Sequence, residues 1–97
     1  MKKSIDIFIE CLSVQEARSN EYKTKDNQEE KSFNSTATAF NAITGKDITP
    51  AEVCLMLQVL KDVRQWSQNR LHKDSVLDGV SYASLKAVEL HKQFEEK

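Results

Sequence analysis

Two pairs of charged side chains carry whatever chemistry this chain offers: Lys61 and Arg64, three residues apart, and Asp74 and Asp78, four apart. Cations one helical turn apart share a helix face and suit a carboxylate or a phosphate. Carboxylates at four-residue spacing lie close together, one route to a Mg²⁺ ion that keeps several of its waters. At 100° per residue Arg64 projects between Val53, Leu57 and Leu60, in the middle of an apolar face, and a charge placed there needs a partner. Two readings stay open. Arg64 pairs structurally with an acid from a neighbouring helix, favoured by the helix C-terminal dipole, or it forms a cationic pocket with Lys61 and Arg18. The acids also have two readings: metal ligands, or Asp74 as an N-cap and Asp78 as a first-turn acid. Tyr82 lies one turn beyond Asp78, on a face turned away from that helix's main apolar stripe. A site built on Asp78 and Tyr82 therefore needs a loop or a second subunit to close it.

Other reactive types give less. His72 and His91 have no cysteine or serine nucleophile at a readable spacing, so no catalytic residue is assigned, and both read as surface or cap residues. Cys11 and Cys54 sit in apolar helical patterns without a zinc-type partner and read as buried, reduced thiols. Two glycines cannot supply a phosphate-cradling loop. Trp66 and Tyr22 have faces on which a base could stack, but a single tryptophan on a core helix is ordinarily core.

The elements that position these residues read as helices. The chain has 97 residues, 39% hydrophobic and 30% charged, with two glycines and one proline, too few turn formers for a many-stranded fold. The expected architecture is all-α, one compact four-helix bundle-like domain spanning 1–97. Ile5, Phe8, Ile9 and Leu12 recur at three- and four-residue spacing, predicting a first helix from Ser4 to about Arg18. The polar run 19–28 predicts an exposed connection. Phe33, Ala37, Phe40 and Ile43 mark a short second helix, after which Gly45 suits the left-handed position. Thr49, Pro50 and Glu52 compose a capping box that opens the third helix. Its residues Val53 to Trp66 are apolar around most of the circumference, so it is expected to be surrounded. Leu71 to Asp74 reads as a link, and Ser75 with Asp78 as a second capping box opening a fourth helix to about Phe94. Leu77, Ser84, Leu85 and Val88 widen the apolar surface of that helix, and self-association through it is expected.

Charge and hydropathy exclude two classes of partner. Fourteen basic against fifteen acidic side chains leave a formal charge of −1, so general nucleic-acid binding by counterion release is not expected. No run approaches the roughly 20 apolar residues of a membrane span, Asp6 and Glu10 interrupting the first candidate. A cytoplasmic protein without membrane association is expected.

The order Arg18, Tyr22, Phe33-Asn34, Phe40-Asn41, Thr49-Pro50, Val53, Met56, Lys61, Arg64, His72-Lys73-Asp74-Ser75, Asp78 and Tyr82 resembles a family of small helical proteins from bacteriophages and prophages. The similarity covers about residues 8–90. That family is in turn distantly similar to the all-helical MazG-type nucleotide pyrophosphohydrolases, which hold Mg²⁺ on Glu-x-x-Glu and Glu-x-x-Asp. The chain departs from that pattern: Ser32 and Phe33 stand three residues after Glu29 and Glu30, and Leu55 three after Glu52. Lys23 also stands where the phage family has a glycine after its tyrosine.

The resemblance implies an accessory protein of a bacterial host cell that modulates host metabolism or defence. With no metal cage legible, the favoured expectation is a non-catalytic, cofactor-free binder of a nucleotide or a host protein, using Arg18, Lys61, Arg64, Asp78 and Tyr82. The alternative is a Mg²⁺-dependent pyrophosphohydrolase-like enzyme with Asp74 and Asp78 on the metal, Lys61 and Arg64 on the phosphates, and water attacking. A third reading is a protein-binding module that docks through Leu77, Leu85 and Val88.

Overall fold

The computed structural model describes residues 2–26 and 32–95, with side chains described over 2–17 and 32–95. Among them four helices and no strand are found: α1 (Ser4–Asp26), α2 (Ser32–Thr44), α3 (Pro50–Trp66) and α4 (Lys73–Glu95). The all-α, bundle-like architecture is the one the apolar spacing predicts. The first helix, however, does not stop near Arg18. Helical backbone continues to Asp26, through most of the polar run expected to be a connection, since residues such as Glu21, Lys23 and Lys25 are themselves good helix formers.

The turns between helices are closed by side chains. Gly45 takes φ 73° and its N–H bonds to Asn41 O, ending α2 as its sequence predicts. The Asn41 amide then grips both backbone groups of Ile48, donating to its carbonyl at 2.9 Å and accepting from its N–H at 2.8 Å. Thr49 and Glu52 form the reciprocal capping box, and Pro50 opens α3. At the other end Gln65 repeats the device seven residues on, accepting from His72 N–H at 2.8 Å and donating to Arg70 O at 2.8 Å. The start of α4 corrects the sequence reading. Neither Asp74 nor Ser75 is the cap: α4 begins at Lys73, and His72 caps it, its Nδ1 accepting from the Ser75 N–H and lying 2.6 Å from Ser75 Oγ. Ser75 is thereby drawn inside the first turn and buried.

The main seam joins α3 to α4; α2 packs on α3, and α1 packs on α4 without a close approach to α2 or α3 among the described residues. Phe33, Ala37, Val53 and Cys54 form the centre of the core, with Ile48, Leu57, Tyr82 and Leu85 packed against it. Both cysteines are buried and outside any disulfide, as read from the sequence. Between α1 and α4 the contact is partly polar: Gln15 Nε2 donates to Ser81 Oγ and Ser84 Oγ, each at 2.9 Å, and also contacts Cys11 Sγ.

This arrangement leaves α3 uncovered on one side, against the expectation that it is surrounded. Residues turned toward α2 and α4, such as Val53, Cys54 and Leu57, are covered, while Leu55, Met56, Val59, Leu60, Val63 and Trp66 are exposed. Trp66, expected in the core, is 84% exposed. The apolar stripe of α1 is equally bare: Cys11 is buried and Ile7 and Val14 half-buried, but Ile5, Phe8, Ile9 and Leu12 are each more than half exposed. The reason is geometric. A helix covers a partner over roughly a third of its circumference, and three other helices arranged in a row cannot wrap the third.

Candidate functional site

The α3–α4 seam is where the sequence-derived candidates meet. Gly79 carries no side chain at the crossing, where a methyl group built on it would lie 3.9 Å from Lys61 Cβ, at ordinary contact distance. Lys61 Nζ lies 3.2 Å from Asp78 Oδ2, with 15% and 20% of the two side chains exposed. A second bridge, from Lys86 Nζ to Gln58 Oε1 at 2.9 Å, crosses the same seam. Lys61 and Asp78 are thus brought together, but as each other's partners. A cation already engaged by a carboxylate at this distance has little field left for a phosphate.

The remaining candidates disperse. Arg64, expected to aim inward, is exposed and forms no ion pair among the described residues. Its position beside Leu60 lies at the margin of the uncovered side of α3, so a guanidinium there reaches water without desolvation. Asp74 is exposed on the first turn of α4. Tyr82 does not look away from the core: it is half-buried and its ring meets Phe33 edge-on, centroids 6.4 Å apart at 71°. That contact ties α4 to α2 and takes up the face on which a site with Asp78 was expected. Arg18, like Tyr22, falls outside the described side chains. Among the described residues no group of three or more His, Cys, Asp and Glu side chains is placed to hold a metal ion.

The surface expected for self-association is also rearranged. On α4, Leu85 packs against the core and Leu77 is half-buried, so of the three apolar residues expected to dock only Val88 is exposed, with Leu90 and Phe94 exposed further along the helix. The longer uncovered apolar stripes are those of α1 and α3. On α3 the residues Met56, Val59, Val63 and Trp66 follow one another at intervals of three, four and three, the spacing of a coiled-coil seam. On α1 Ile5, Ile9 and Leu12 are spaced four and three, with Phe8 beside them. The sequence contained this signal, since a helix apolar on all sides in so short a chain cannot be enclosed by the rest of it.

Beyond the end of α3, Gln65, Trp66, Ser67, Gln68, Asn69 and Arg70 line a shallow, open depression at the turn into α4. Its walls are set by Gln65 and by Gln68, whose Nε2 donates to Arg64 O at 2.8 Å. Among the described residues no helix is long and apolar enough to cross a membrane.

Residues 12–89 match the family model DUF6378, described as a domain of unknown function. No curated protein and no solved structure matches the chain.

Proposed function

The chain belongs to the DUF6378 family, a domain of unknown function, and we propose that it is a non-catalytic helical binding protein whose partner is a protein rather than a nucleotide. The observation that carries this reading is the continuous uncovered apolar side of α3, from Leu55 to Trp66, beside a candidate ionic site whose Lys61 and Asp78 already hold each other. Apolar patches of this kind on a small domain mark contact surfaces. A nucleotide site needs cations turned toward an empty space, and Lys61 is instead turned toward Asp78. The resemblance to small phage and prophage proteins supports an accessory role in the cytoplasm of a bacterial host, acting on metabolism or defence through contact instead of turnover. A Mg²⁺-dependent pyrophosphohydrolase would have to place its metal on Asp74 and Asp78, and the second of these is engaged by Lys61.

Two measurements test the reading. Millimolar nucleoside triphosphates with Mg²⁺ leave the melting temperature unchanged and release no pyrophosphate; turnover that disappears in Asp74→Ala and Asp78→Ala would establish the enzyme instead. A photo-crosslinking amino acid introduced at Val63 forms a covalent protein adduct in cells, whereas the same group at exposed Lys46 does not. Equal labelling from both positions would remove the α3 face as a docking surface.

A further inference from the structure

The protein-binding reading leaves open what covers α1 and α3, and the structure narrows it. We infer that the uncovered faces of α1 and α3 are the interface between two copies of this chain. This rests on the α3 face being a protein-binding surface and specifies its occupant.

A folded monomer of 11.1 kDa is expected to expose roughly 5,700 Å². The chain exposes 7421 Å², roughly 1,700 Å² more than that; the bare apolar residues of α1 and α3 contribute to this excess, and an obligate homodimer buries an area of this order per protomer. The chain's radius of gyration, 14.9 Å, likewise exceeds the roughly 12.5 Å of a compact domain of this length.

The interior argues the same way. Among the described residues the buried hydrophobic ones are Cys11, Phe33, Ala37, Ala51, Val53 and Cys54, and the largest fully buried side chain is Cys54. The larger apolar residues Ile5, Phe8, Ile9, Leu12, Met56, Val59, Val63 and Trp66 all lie outside that core and are exposed. Two alanines, two cysteines, one valine and one phenylalanine, with Ile48, Leu57, Tyr82 and Leu85 half-buried around them, make a small core for a domain of this size. Whatever covers the bare faces therefore supplies part of the folding free energy, so it has to be present whenever the chain folds. A second copy always is, and a foreign partner is not.

Chemistry and periodicity fit a like helix. Met56, Val59, Val63 and Trp66 present a seam at coiled-coil spacing with no charge inside it, and Ile5, Ile9 and Leu12 present a shorter one. The formal charge of −1 leaves little repulsion between copies. Arg64, at the margin of the α3 seam, falls at the rim, where an exposed cation is tolerated.

Sedimentation equilibrium and light scattering on the unmodified chain at micromolar concentration test this directly, with a mass about twice that of the monomer expected. Its melting temperature rises with concentration, as for any folded state that contains two chains. Val63→Glu lowers the mass to that of one chain or unfolds it. Because an unfolded variant would not discriminate, Val63→Cys treated with a short bis-maleimide is expected to give a covalent dimer that Lys46→Cys does not give. An unmodified chain that is monomeric, fully helical and melts at a temperature independent of concentration overturns the inference. If that monomer still forms a Val63-specific adduct with a different protein, the protein-binding reading survives and only self-association fails. If it forms none, both fail.

Discussion

At the scale of single residues, the contrast between Lys61 and Arg64 is the sharpest test of the geometry. Lys61 is largely covered and held by Asp78, so Lys61→Met leaves a partly buried carboxylate without that cation and is expected to cost about 2 kcal/mol, less than the full penalty for a deeply buried pair. Arg64→Ala removes an exposed, unpaired group and is expected to change stability by less than about 0.5 kcal/mol. Urea denaturation of the two variants at one protein concentration checks both, and equal losses would show that the two side chains have been assigned to the wrong surroundings. His91 offers an independent check. Its Nδ1 lies 2.8 Å from Glu95 Oε2, and that hydrogen bond, with the carboxylate's charge, raises its pKa above the ordinary histidine value. A raised folded-state value means the pair's contribution is present in acid, below the unfolded pKa, and fades as pH climbs through the folded one. An NMR titration should place the His91 midpoint above that of a model histidine, and Glu95→Gln should return it. The exposure of Arg64 is not legible in its helical angle, which lies between those of the covered Val53 and Leu57; it is exposed near the C-terminal end of α3.

Among elements, the third helix was the most legible because its start is written locally. Thr49, Pro50 and Glu52 lie within four residues and form the capping box foreseen from their order. Gly45 was equally plain. The start of α4 was not, because two plausible caps, Asp74 and Ser75, stand beside a histidine that seldom plays the part, and the Gln65 clip that fixes His72 comes from the preceding helix. The end of α1 was misplaced since polar residues suit a surface helix as well as a loop. Gly79 now has a role that its sequence did not reveal: it sits in mid-helix at the α3–α4 crossing, where an added methyl would meet Lys61 Cβ at an ordinary contact distance of 3.9 Å. Gly79→Ala is therefore expected to stabilise the protein by about 0.5–1 kcal/mol, from helix propensity and reduced freedom of the unfolded chain. A bulkier Gly79→Leu should destabilise it by forcing Lys61 away from Asp78. Thermal melts of the pair would reveal a misjudged crossing if alanine proved as harmful as leucine.

Taken as a whole, the molecule is a row of helices, α2 on α3 on α4 on α1, held by one long seam and two lesser ones. That all-α class followed from spacing and composition alone. Which faces would be left bare did not, because amphipathicity tells only that a stripe is apolar and never what covers it. The shape also sets a hierarchy of local stability. Amides of α3 and α4 along Val53–Lys61 and Val76–Leu85 should exchange hydrogen slowest, while those of α1, which among the described residues packs on α4 alone, should exchange first; uniform protection across all four helices would contradict the row. The lone attachment of α1 reaches back to synthesis. Translation delivers α1 first and the helix on which it rests last, so throughout elongation Ile7, Cys11 and Val14 are as uncovered as Ile5 and Leu12 on its other side. Until the final turns of α4 emerge, this segment stays greasy on two flanks, the kind of transient exposure that invites misassociation.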